Sequence, residues 1–312
     1  MFNVNNHQCT MRLDIYTDGK IKAITGGCHA WVSLSGVSFI PKDSKSSSSA
    51  LASSLKSGWV PSGSFWEAPS YTLVDGECLV QGFIHGGSWS HISTLPVECR
   101  PYKRLIFNLN NHQYTSRVDV LQDGRVLWID GGRSHGWLSL TGISFVAVPT
   151  NGVTLAQQWQ PYGYEYGIPT WKVQDEVCEV AGLIYGYHWG LLATLPSECR
   201  PQERIIFNVN NNQYTTRVDV LPDGGVHWVA GGSSHNWLSL TGIKFVTNKG
   251  SKTQVSFLHG ARNHGGGYEG AYYSIINGEC VLGGLITKGS SWEVAQLPVS
   301  YTHLTLPTNR EV

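Results

Sequence analysis

Arg104 to Val146 reads RLIFNLNNHQYTSRVDVLQDGRVLWIDGGRSHGWLSLTGISFV, and Arg204 to Val246 reads RIIFNVNNNQYTTRVDVLPDGGVHWVAGGSSHNWLSLTGIKFV, in register at a shift of 100 positions. Met1 to Ile40, MFNVNNHQCTMRLDIYTDGKIKAITGGCHAWVSLSGVSFI, is a third copy. Self-similarity at a fixed period marks a tandem array, so reading one copy decides the fold of all. Thr115 to Leu121 alternates, with Val118 and Val120 on one face and Arg117 and Asp119 on the other, the period-2 signature of a strand. Asn110-Asn111 marks a turn because Asn tolerates positive φ. Asp123-Gly124 is a hairpin turn, Arg125 to Ile129 returns, Gly131-Gly132 turns again, and Trp137 to Val146 closes the meander.

A second block precedes the first, as GECLVQGFIHGGSWSHISTLPVECRP from Gly76 and EVCEVAGLIYGYHWGLLATLPSECRP from Glu176. A third version from Gly278, GECVLGGLITKGSSWEVAQLP, runs to Pro298. Cys78 to Ile84, a Gly86-Gly87 turn and Ser90 to Leu95 read as a hairpin. Short strands at this spacing predict an all-β chain of tandem antiparallel β-sandwich or jelly-roll-like repeats, each of about 90–100 residues. Full units are expected at 57–147 and 157–247, the second half of a unit at 1–40 and the first half of one at 253–298. Either half alone leaves strand edges and an apolar face open, so the two are candidates to complete a third domain. Residues 41–56 are Ser-rich and read as a flexible linker. The stretch 299–312 matches nothing in the repeat. It resembles a translated sequencing-library adapter and is read as a non-native tail.

Lys+Arg and Asp+Glu balance at 22 each, so no net field recruits nucleic acid or an anionic membrane. No apolar run approaches the roughly 20 residues of a membrane helix. The cysteine pattern points outward. Cys78 with Cys99, and Cys178 with Cys199, flank the expected hairpins, Cys9 and Cys28 form an extra pair, and Cys280 is left over. Zinc sites show close Cys pairs with histidines at ligand spacing, which this chain lacks. Disulfides follow, and with them a secreted or cell-surface setting; no metal and no cofactor are expected.

For chemistry, Ser134 and His135 invite a catalytic reading, but neighbours on a strand point to opposite faces, and no GxSxG, HExxH or P-loop pattern occurs. A surface Arg117–Asp119 pair and an Asp-Gly turn account for the repeated acids. The better candidates are aromatic. Trp66, Tyr164 and Tyr166 lie in ring-rich lead-ins, and Trp89, Trp189 and Trp292 sit at the expected hairpin tips. Large rings in water mark binding surfaces, and Asn110, Asn111, His112, Asn210 and Asn211 are candidate polar partners for a sugar stacked there. The alternative is that the rings cap the small cores or pack between units.

Leu95-Pro96, Arg104 to Phe107, Arg117 to Leu121, Asp123-Gly124 and Trp137 to Phe145, with their counterparts a hundred residues on, carry a resemblance. The unit is similar to the C-terminal heads of bacteriophage tail fibres and bacterial collagen-like surface proteins. It also resembles secreted, cysteine-containing repeat proteins of aquatic invertebrates. That resemblance implies an all-β head that binds receptors, glycans or matrix molecules, as a possible homotrimer, without a known active site. The expected function is a non-catalytic, extracellular, multivalent adhesion protein of lectin-like character. The rival is a structural matrix protein without a soluble ligand, and a glycan-active enzyme is a distant third.

Overall fold

The computed structural model describes residues 1–41, 44, 46–63, 65–148 and 151–298; the expected tail at 299–312 lies outside them. Among the described residues every element of useful length is a strand, and the only helical pieces are two short 3-10 turns. The chain forms three units of β-sandwich-like construction.

Unit 2 shows the plan. Leu105–Asn111, Tyr114–Val120 and Arg125–Gly131 form the expected three-stranded meander, and His91–Thr94 joins its edge. Trp137–Ser139 and Ile143–Val146, expected to close it, lie in two other sheets. The first turn falls at His112, whose φ is 64°, and not at Asn110-Asn111, which stay paired in the strand. Against the meander lies a second sheet, ordered Ile143–Val146, Glu77–Gln81, Ser70–Val74 and Ser48–Ala50. A small third sheet holds Trp137–Ser139, Phe83–His85 and Val60–Pro61. Leu105, Phe107, Leu109, Val118 and Val120 face Val80, Ile84, Ile143 and Phe145 across one core. Unit 3 repeats this between Asn151 and Val246, with Phe207 and Phe245 at its centre.

The expected hairpin of the second block is not one. Phe83–His85 and His91–Thr94 belong to different sheets, so the segment between them crosses from sheet to sheet. The strand bends at Gly82, whose φ is 111°; a Cβ there would lie 2.5 Å from the Ala68 carbonyl oxygen. Only glycine adopts such a bend without strain. The cysteines therefore meet for a different reason than facing positions on a hairpin. Cys78 sits in the second sheet and Cys99 beyond the meander edge, both fully buried, and their Cα atoms are 5.4 Å apart across the core. Cys178 and Cys199 repeat this at 5.3 Å, and Cys9 and Cys28 pair at 6.0 Å, all within disulfide range. Cys280 is buried and free. The Ser-rich stretch is also more than a linker, since Ser48–Ala50 pairs with Ser70–Val74 and Leu51 is buried in the core.

Unit 1 is assembled from both ends of the chain. Lys20–Gly26 pairs with Glu293–Gln296, Trp31–Ser33 with Leu285–Thr287, and Val37–Phe39 with Glu279–Gly283. Leu13, Ile21 and Val32 share one buried cluster with Leu282, Ile286 and Val294.

The three units close a ring. The face of each meander that turns away from its own core looks at the other two units. Thr10, Thr115 and Thr215, one from each unit, meet in a triangle of hydroxyls, at 2.7 Å for Thr10–Thr115 and 2.8 Å for Thr115–Thr215. Ser33 donates to the Ile206 carbonyl (2.6 Å), Ser239 to that of Ile106 (2.9 Å) and Ser139 to that of Met1 (2.8 Å). Unit 1 thus reaches unit 3, unit 3 reaches unit 2 and unit 2 reaches unit 1. Head-to-tail contacts that return to their start make a closed ring, here a pseudo-threefold one within a single chain.

Candidate functional site

The seams of the ring bring functional side chains together. On Tyr114–Val120, Arg117 and Asp119 lie two residues apart on the outward face, and the expected surface pair is in fact buried, at 7% and 0% exposure. The neighbouring unit covers them. Arg117 grips Asp119 through Nε (2.9 Å) and Nη2 (2.8 Å), and Arg104 adds a second guanidinium at 2.7 Å. Arg217, Arg204 and Asp219 repeat the arrangement, and Arg12 with Asp14 gives the unit 1 version. The third arm of each arginine crosses a seam: Arg12 to His112 (3.2 Å), Arg117 to Asn212 (3.0 Å) and Arg217 to His7 (3.3 Å).

Rings cover the guanidinium faces. Arg12 lies 5.5 Å from the Trp66 ring and 5.4 Å from that of Trp137, both in unit 2. Arg117 lies over Trp237 at 5.0 Å and bonds Tyr166 in unit 3; Arg217 lies over Trp31 at 5.4 Å and Tyr268 at 5.8 Å in unit 1. Such contacts contribute about 0.5–1 kcal/mol where exposed and about 2 kcal/mol or more where desolvated. Burial first, then the neighbouring His135 and Arg12, holds His112 below its ordinary pKa, so it meets the arginine as a neutral ring. The guanidinium forks are saturated by carboxylate and seam partners, so these arginines hold the ring together. Aromatic rings face solvent at the rim beside the half-exposed Glu165: Phe65 is 96% exposed, Tyr164 89% and Trp66 39%.

Sequence candidates divide accordingly. Trp66, Tyr166 and His112 are gathered at the seams. Asn110, Asn111, Asn210 and Asn211 are fully buried. Asn110 holds the turn at His112, accepting its N–H (3.0 Å) and donating to its carbonyl (2.8 Å), whereas Asn111 bonds the His135 loop. In unit 3 Asn210 donates to the Asn212 carbonyl (2.7 Å), its Oδ1 buried without a partner, and Asn211 donates to the His235 carbonyl (3.1 Å). Their amides are committed to the fold and not offered to a sugar. Trp89 and Trp189 are half-buried, each packed steeply against two further tryptophans: Trp59 (5.1 Å) and Trp128 (5.6 Å), or Trp159 (5.3 Å) and Trp228 (5.6 Å). Trp292, 65% exposed, lies one residue past the place of Trp89 and Trp189. Its carbonyl accepts the Ala23 N–H as those of Ser90 and Gly190 accept the Trp128 and Trp228 N–H groups, and Ser291, Ala261 and Ala23 stand where the other units carry the three indoles. The arginines and the rings of Trp31, Trp137 and Trp237 were missed as seam residues. Their signal was the RVDV and WLSL segments, in which outward-facing residues recur unchanged from unit 2 to unit 3.

Unit 3 carries a further group of rings beside its seam. Tyr162 contacts Tyr166 (centroids 5.2 Å), Tyr185 (6.2 Å) and Tyr164 (6.3 Å), and Tyr185 contacts Tyr187 (5.2 Å). Among the described residues, no helix is long and apolar enough to cross a membrane, and no three His, Cys, Asp or Glu side chains are placed to hold a metal ion. Neither a family model, nor a curated protein, nor a solved structure matches the chain.

Proposed function

We propose that this chain is an extracellular, non-catalytic, multivalent binding protein of lectin-like character. The three disulfides fit an oxidising compartment. The observation that carries the reading is the pair of near-fully exposed rings, Phe65 and Tyr164, at the rims of two seams in the same lead-in loop of units 2 and 3. Neither is needed by a core. Exposed rings of this kind bury well against a flat apolar partner such as a sugar face. A ring of three units presents such rims at a fixed spacing without separate chains having to assemble, and weak sites so linked gain avidity.

The rival structural reading is favoured by a different observation: Trp89 and Trp189, expected at open tips, pack into their own units. A glycan array probed with the oxidised full chain, beside Phe65→Ala, Tyr164→Ala, decides between them. Binding that the double variant loses supports the lectin-like role; a blank array from folded protein moves the assignment to a matrix protein. Both substitutions are at exposed positions, where surface changes shift stability by only about 0.5 kcal/mol, so loss of fold does not confuse the readout.

A further inference from the structure

The tyrosine group of unit 3 is not required by the fold. Where unit 3 has Tyr162, Tyr164, Tyr185 and Tyr187, unit 2 has Ser62, Ser64, His85 and Gly87, yet both build the same three sheets. Five phenols nonetheless form one continuous group with ring centroids 5.2–6.3 Å apart, and the Tyr185 and Tyr187 hydroxyls are in hydrogen-bond contact. The ends of the group stand in water, Tyr164 at 89% and Tyr187 at 57% exposure. The rings are mutually steep, with interplanar angles of 62–80°, so they present edges and hydroxyls instead of one flat platform.

We propose that this group is an oxidative modification site, at which Tyr164 and Tyr187 form dityrosine bonds to a second copy of the chain. The oxidant is hydrogen peroxide acting through a haem peroxidase. Each of two phenols gives up an electron and its O–H proton, and together these reduce one peroxide to two waters. The two phenoxyl radicals join by a carbon–carbon bond between positions ortho to oxygen. Each coupled carbon then loses its proton while each oxygen regains one, restoring both phenols. Closely spaced rings let a radical formed on any of the five move to the exposed ends, where a partner chain can reach it.

The test treats the oxidised full chain with hydrogen peroxide and a haem peroxidase. It reads dityrosine fluorescence and covalent dimer on reducing gels, and maps the linked peptides. The wild type should give dimer linked through Tyr164 or Tyr187. Tyr164→Phe, Tyr187→Phe keeps both rings, and therefore the packing, but should lose the dimer to the peroxidase-free level. Tyr114→Phe, Tyr214→Phe, at positions 44% exposed, should retain it. The proposal is overturned by an unmodified wild type, by undiminished dimer in Tyr164→Phe, Tyr187→Phe, or by bonds that map to Tyr16, Tyr114 or Tyr214. Because the phenylalanine rings can still stack, glycan binding by the same variant reports separately on the lectin-like reading.

Discussion

Lys244 is the one lysine at a position where the other units have Ser38 and Ser144. It is buried on the ring axis and faces three carboxylates, one from each unit. Its Nζ donates to both oxygens of Glu279 at 2.7 Å and contacts Glu77, with Glu179 nearby. Burial works against the ammonium, but Glu279, Glu77 and Glu179 more than offset it and leave its pKa raised. One cation cannot compensate three anions. Burial first, then the Glu77 charge, pushes Glu179 up to about 8, and burial pushes Glu279 up to about 7. Both therefore hold a proton in the folded chain above 4.5, their ordinary value, where the unfolded chain has released it. The contribution of these groups to stability is greatest below that value and falls as pH rises toward the folded values. Glu179→Gln, which is permanently neutral, should melt higher than wild type at about pH 8 and much less so at about pH 5. Thermal melts at the two pH values check this; equal differences at both would remove Glu179 as the source.

At the level of elements, the meander was legible because its signals are local: alternation over Thr115 to Leu121, then Asp123-Gly124, then Gly131-Gly132. The preceding block was not. A glycine pair between two apolar runs reads as a hairpin, and nothing local says that the Gly82 bend sends Phe83–His85 to one sheet and His91–Thr94 to another. That difference explains the tryptophans. On a hairpin tip Trp89 would stand in water, but on a crossover it lies against Trp59 and Trp128. Trp159 is 5% exposed and bonds the His188 carbonyl through Nε1 (2.9 Å), so Trp159→Ala should cost about 3–5 kcal/mol by urea denaturation. Trp292, exposed and one residue outside the place of the trio, should lose no more than about 0.5 kcal/mol on the same change. Similar costs at the two positions would mean that the indole trio is not what stabilises units 2 and 3.

On the scale of the whole molecule, the repeat and its two split halves could be read from the sequence, but the ring could not. Its determinants are pairs such as Arg12–His112 and Arg217–His7, about 100 and 210 positions apart, and each arginine alone reads as half of a surface ion pair. Closure depends on unit 1, the one unit made from both ends of the chain. It shares two of the three seams, so removing residues after 252 does more than shorten an array. Lys20–Gly26, Trp31–Ser33 and Val37–Phe39 each lose a partner strand, and Leu13, Ile21 and Val32 lose the far wall of their core. Half a sandwich cannot bury enough apolar surface to offset the entropy of ordering it. In the truncated chain, residues 1–40 should therefore be cut first in limited proteolysis. Units 2 and 3 keep complete sheets, one seam and their disulfides, so a fragment spanning 48–246 should persist but melt below the full chain. Protection of residues 1–40 in the truncated chain would show that unit 1 is held by its neighbours and not by strands 253–298.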